Sequence, residues 1–170
     1  MKTGKWKWWG GIAALLCQVR GVASAQNAQP QGDDDRSVPV QVTVKTEKQT
    51  YRSGDPVKIT LTVKNTQKSD VALRFSSGQQ YDIEIRRGKT KNGEKVWQWS
   101  EGRMFTMALI STKLAPGKSQ TYLVTYGVEV SPETGKAVPK LTPGTYTIVA
   151  TITTMGRTPR PFGTTTFTVK

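Results

Sequence analysis

The chain has 170 residues, with 25 Lys and Arg against 12 Asp and Glu for a formal charge of +13, one cysteine and no histidine. Without histidine there is no Ser-His-Asp or Cys-His apparatus, and with Cys17 as the only thiol a zinc or iron–sulfur centre lacks its usual ligands. Only carboxylates, lysines and hydroxyls remain for chemistry, so composition points to a binding protein rather than an enzyme, with no cofactor and no metal expected.

Lys2, Lys5 and Lys7 precede the short apolar run from Gly11 to Val19, and Val22-Ala23-Ser24-Ala25 ends in an A-x-A-like cleavage site. This is the pattern of a secretory signal peptide over residues 1–25, and its apolar run is too short to span a bilayer. Cys17 follows Leu16 rather than the small residue a lipoprotein signal requires. Soluble export, secreted or periplasmic, is therefore favoured over a lipid anchor, with no stable membrane insertion after cleavage. Cleavage would remove Lys2, Lys5, Lys7, Arg20 and Cys17 but no acid, leaving a cysteine-free chain of formal charge +9. Stability must then come from the core alone, which about 130 residues suffice to build. Residues 26–37 (QNAQPQGDDDRS) carry no apolar residue larger than Ala28 and read as a flexible linker. Asp33-Asp34-Asp35 lacks the alternation and closing glutamate of a calcium loop and reads as a solvated spacer.

Residues 38–170 read as one domain in which the dominant period is two. Val38, Val40, Val42 and Val44 alternate with polar residues, as do Val57, Ile59, Leu61 and Val63. The pattern continues in Val71-Leu73-Phe75, Tyr81-Ile83-Ile85, Phe105-Met107-Leu109, Tyr122-Val124-Tyr126, Tyr146-Ile148-Ala150-Ile152 and Phe167-Val169. Such segments are half-buried strands. Turn residues divide them at Ser53-Gly54-Asp55-Pro56, Asn92-Gly93, Pro116-Gly117 and Pro143-Gly144. About eight or nine short strands with no helical period predict an all-β, immunoglobulin-like antiparallel β-sandwich. The proline-bearing stretches 129–141 and 155–163 are expected to be loops or edges.

Residues 75–109 are the most specific part. Phe75-Ser-Ser-Gly-Gln-Gln-Tyr-Asp82 is followed, after Asn92-Gly93, by Val96-Trp97-Gln98-Trp99-Ser100 and then by Phe105. Trp97 and Trp99, two apart on a strand, present both rings to one side, either as core or as an exposed stacking platform, with core favoured. Ser77, Gly78 and Gln79 form a turn in which Gly78 is free to take positive φ; the turn is either structural or presented to a partner. Asp82 and Glu84 point away from Tyr81 and Ile83 and are expected to be solvated, within reach of Arg86, Arg87 or Lys89.

F-x-SGQ-x-YD followed by V-W-x-W-S resembles the BsuPI family, whose founding member is a bacterial inhibitor of an intracellular serine proteinase. The similarity runs over about residues 38–153, including the Pro116-Gly117 and Pro143-Gly144-Thr145-Tyr146 turns, although Gln98 stands where the family favours arginine. The resemblance implies a protease as partner, serine class favoured, engaged through a surface loop, and the export signal implies a target outside the cytoplasm. The resemblance fixes no reactive loop. Composition offers the 76–80 loop and Gly156-Arg157-Thr158-Pro159-Arg160-Pro161-Phe162, whose prolines stiffen it and whose arginines suit a protease pocket. Arg160-Pro161-Phe162 is also similar to the R-P-[WF] loop of chagasin-type cysteine-protease inhibitors, although their N-P-T-T-G loop is absent. The alternative reading is a non-inhibitory protein- or polysaccharide-binding module of the cell envelope. The basic charge is spread over strand faces, where lysines oppose edge-to-edge aggregation, and no nucleic-acid partner is expected.

Overall fold

The computed structural model describes residues 40–127, 135, 138–156 and 159–170. The expected signal peptide and linker, Val38, and Arg157 and Thr158 lie outside the described residues. Ten strands follow in order: β1 (Val40–Thr46), β2 (Thr50–Tyr51), β3 (Val57–Asn65), β4 (Val71–Phe75), β5 (Tyr81–Arg87), β6 (Lys95–Gln98), β7 (Ile110–Leu114), β8 (Ser119–Tyr126), β9 (Gly144–Ile152) and β10 (Phe162–Val169). They form a three-stranded sheet β1-β3-β8, a five-stranded sheet β2-β10-β9-β5-β6 and a ribbon β4-β7.

Alternation decides which face each strand buries. Along β3, Val57, Ile59, Leu61 and Val63 are buried while Lys58 and Lys64 are exposed. Each fully buried aliphatic side chain contributes about 1.5–3 kcal/mol over its exposed state, so β3 anchors its sheet. Ile83 and Ile85 of β5 and Tyr146, Ile148, Ala150 and Ile152 of β9 face them from the larger sheet, in one continuous core. At the start of β10, Gly163 lies against β1: a Cβ there would come within 2.7 Å of the Val42 carbonyl oxygen. The Tyr146 hydroxyl donates to the carbonyl of Thr142, four residues upstream, at 2.7 Å, a tyrosine-corner arrangement that fits an immunoglobulin-like sandwich.

The all-β sandwich stands as the sequence indicated, with two corrections. One pairing is parallel, the short β2 against the end of β10. The expected strand through Phe105, Met107 and Leu109 does not form; the strand is Ile110–Leu114 instead. The reason is register. Phe75, the last residue of β4, pairs with Ile110, so residues before Ile110 have no strand to pair with. Phe105 is consequently half-buried, while Met107 and Leu109 are exposed.

Candidate partner-binding site

Asp82 organises the signature block. Its carboxylate accepts from Ser100 Oγ and Gln98 Nε2, each at 2.6 Å, from the Ser100 backbone N–H at 3.2 Å and from the Ile83 N–H at 2.8 Å. Asp82 is therefore no solvated surface acid but the clasp between β5 and the end of β6, its carboxylate taken up by Gln98 and Ser100. Glu84 is half-buried too, in an ion pair with Arg86 at 2.6 Å. Charge-assisted bonds of this kind are roughly twice as strong as neutral ones.

With β6 clasped, Trp99 lies stacked on Tyr81, centroids 4.3 Å apart, and Tyr81 packs on Tyr122 of β8 at 4.6 Å. Phe105 closes on Trp99 at 5.7 Å. Trp97 meets Tyr126 edge-on at 5.1 Å. Val96, Trp97 and Trp99 are half-buried and packed against the core, closing the open edge of the sandwich. Arg103 locks the far side: its Nε donates to the Trp99 carbonyl at 2.6 Å and its guanidinium lies 4.2 Å over the indole. Burial raises the Tyr81 hydroxyl above its ordinary pKa, with Arg103 opposing and Asp82 adding. Burial likewise lowers Arg103, against the pull of Tyr81 and Asp82. Tyr122, pushed up to about 12 by burial and then by Tyr81, donates to Gln80 Oε1 at 2.8 Å.

Loop 76–80 is held from both sides. Thr153, just past β9, donates its hydroxyl to the Gln79 carbonyl at 2.5 Å and its N–H to the Gln80 carbonyl at 3.1 Å. On the other side, the Gly78 N–H donates to the Thr106 carbonyl at 2.8 Å. Gly78 does not take positive φ, contrary to expectation. Its role is close approach: a Cβ there would stand 2.8 Å from Thr106 Oγ1. Within the turn, Ser77 Oγ accepts from the Gln79 N–H at 3.3 Å. Three connections thus converge at one end of the sandwich: 76–80 in the middle, 99–109 on one flank and, on the other, the described residues 153–156 and 159–161.

The two flanks differ. Of the expected loop residues, Pro159 and Arg160 are exposed, Pro161 is buried with its carbonyl accepting from the Ile152 N–H at 2.9 Å, and Phe162 opens β10 beneath the Lys91 ammonium at 4.6 Å. On the other flank, residues 103–109 run without turn or bend. Met104, Met107 and Leu109 are there 99%, 92% and 81% exposed. The alternation of Phe105, Met107 and Leu109 is that of a strand, and only the length of β4 reveals otherwise. The opposite end of the domain holds a cavity of about 320 Å³ between Tyr51, Asp55, Tyr126, Lys140 and Leu141. Asp55 is its one carboxylate among the described residues and accepts from the Arg52 N–H at 3.0 Å, so no pair of carboxylates meets there. Among the described residues no cluster could hold a metal ion, and no helix is long and apolar enough to cross a membrane.

The sequence profile of the BsuPI family, described as intracellular proteinase inhibitor, matches residues 44–157. No curated protein matches the chain significantly. Similar solved structures include a β-glucosidase from Erythrobacter marinus, at 16% identity and TM-score 0.41, covering 77% of this chain and 15% of that one. The CARDB domain of a Pyrococcus furiosus protein has 14% identity and TM-score 0.40, covering 76% and 91%. The sporulation control protein Spo0M of Bacillus subtilis has 17% identity and TM-score 0.42, covering 78% and 49%. The chain thus spans only a small part of the glucosidase and about half of Spo0M.

Proposed function

The chain belongs to the BsuPI family of intracellular proteinase inhibitors, and on that premise we propose that it is an exported, non-catalytic inhibitor of a serine-class protease, bound through a surface loop at the signature end of the sandwich. The observation that carries this reading is the state of the signature block. Its polar groups are spent on one another, through Asp82, Ser100, Gln98, Gln80 and Tyr122, so the block is a support and not a reaction centre. What it supports are connections fixed at both ends, and a pre-organised loop is what a protease inhibitor needs, because binding then costs little ordering entropy. Loops at one end of a rigid sandwich are the usual place for such a function. Export rests on Lys2, Lys5, Lys7 and the Val22–Ala25 site, and places the target in the cell envelope or outside the cell.

The test is titration of the purified mature chain against subtilisin-type, trypsin-type and papain-type proteases, following residual activity. Stoichiometric inhibition of a serine enzyme with the chain left intact supports the proposal. Inhibition of the papain type alone would overturn the serine assignment and move attention to Arg160-Pro161-Phe162. Inhibition of none would leave a non-inhibitory protein- or polysaccharide-binding module. N-terminal sequencing of the protein recovered from its native host decides export, with Gln26 as the expected first residue.

A further inference from the structure

We propose that the stretch Thr106–Leu109 is the segment that enters the protease cleft, with Met107 filling an apolar specificity pocket; this rests on the inhibitor reading above. The stretch is held at both ends. On its N-terminal side Phe105 packs on Trp99 at 5.7 Å, and the Thr106 carbonyl accepts from Gly78 at 2.8 Å. On its C-terminal side the β4–β7 ladder begins with Phe75 paired to Ile110. Every residue from Thr106 to Leu109 is exposed. Among the described residues, the Thr106 carbonyl is the one backbone group between Met104 and Leu109 that is hydrogen-bonded. The stretch therefore offers unpaired N–H and C=O groups on a chain without turn or bend, the form in which a substrate-like segment adds to a cleft by strand pairing.

An isolated exposed apolar side chain is ordinary, but several large ones on one short segment mark an interaction site. Met107 and Leu109 are 92% and 81% exposed on a support whose own aromatics are half-buried against one another. Met104, at 99%, precedes the Phe105 anchor, whereas Met107 lies between the anchors, where the geometry is fixed from both sides. The chemistry of the pocket follows from the side chain. A flexible, uncharged methionine suits an apolar slot and not a pocket with an acid at its base. The partner is thus a serine protease of subtilisin or chymotrypsin specificity rather than trypsin specificity. Inhibition is by occupation, and no bond is made or broken.

The experiment measures inhibition constants of the mature chain for subtilisin, chymotrypsin and trypsin, using wild type, Met107→Asp, Met107→Arg, Leu109→Asp and Leu123→Asp. Leu123 is an equally exposed leucine on β8, outside the segment. All three side chains replaced in these four variants are exposed, and thermal unfolding confirms folding. Met107→Asp is expected to weaken inhibition of the apolar-pocket enzymes by about 30-fold or more, as for a hot-spot residue. Met107→Arg should gain inhibition of trypsin, and Leu123→Asp should change nothing. If wild type inhibits subtilisin or chymotrypsin while both Asp variants in the segment stay within about threefold of it, this proposal falls and the inhibitor reading stands. If wild type inhibits no protease, both fall together. If the segment variants instead abolish a wild-type dimer and leave inhibition unchanged, the segment pairs two copies of the chain, and the proposal is again overturned.

Discussion

Replacing Asp82 by asparagine keeps shape and removes charge, so it isolates what the carboxylate does. Oδ1 holds the Ile83 and Ser100 backbone N–H groups, and Oδ2 holds Gln98 Nε2 and Ser100 Oγ. An asparagine can preserve the first pair, but its amide then presents N–H to the Gln98 N–H, donor against donor. The Ser100 hydroxyl can rotate to accept and recovers part of the loss. A hydrogen bond to a charged group contributes about 1.5–3 kcal/mol. With the backbone pair retained and the site only half-buried, the expected net cost is about 2–3 kcal/mol. For a domain of this size that corresponds to roughly 5–12 °C in melting temperature. Tryptophan fluorescence during guanidinium unfolding is the natural assay, because Trp97 and Trp99 sit directly on the clasp. Inhibition should weaken as well, since Trp99 supports Phe105. A stability change below about 0.5 kcal/mol would mean that the carboxylate is simply solvated, and the clasp argument would be wrong.

Three further outcomes follow from particular contacts. Burial pushes the Tyr122 and Tyr126 hydroxyls up to about 12, from about 10 in the unfolded chain. The unfolded state thus loses these protons first, so stability is complete below pH of about 10 and declines between about pH 10 and 12; it is at most about 2.7 kcal/mol per tyrosine, less for half-exposed Tyr122, and a flat denaturant midpoint over that range would contradict it. Gly163→Ala drives a Cβ to 2.7 Å from the Val42 carbonyl and should cost about 1–3 kcal/mol by overpacking; an unchanged midpoint would show that β1 yields freely. Gly78→Val should push Thr106 aside and weaken protease inhibition about tenfold or more by undoing pre-organisation, and an unchanged inhibition constant would detach loop 76–80 from the binding segment.

Most strands were readable because alternation in β1, β3, β5, β8 and β9 reflects a sheet buried on one side only, and nothing else in the chain competes with that signal. The same signal misled at Phe105-Met107-Leu109, where alternation persists but the pairing strand has ended at Phe75. Strand length in a partner is a tertiary fact that no local window contains. Asp82 illustrates a second limit. Its position on the outward side of β5 follows from period two, but its partial burial depends on Gln98 at the end of β6 and Ser100 just beyond it. Asn65 is a third case. Read locally it begins a polar loop, yet it is fully buried, with its side chain donating to the Ser69 and Leu114 carbonyls at 2.8 Å each and accepting from the Gln67 N–H at 2.8 Å. At Gly78 the sequence suggests freedom for positive φ while the structure requires space beside Thr106, and both needs select glycine.

Hydrogen–deuterium exchange of the mature chain, free and bound to an inhibited subtilisin-type protease, tests the central claim most directly. Loop identity is then read residue by residue, without substitutions that perturb the fold. The account predicts new protection over Thr106–Leu109, whose free backbone groups become paired, with little change at the already bonded 76–80 turn. Protection centred on Pro159–Phe162, or on the cavity lined by Tyr51 and Lys140, would contradict it.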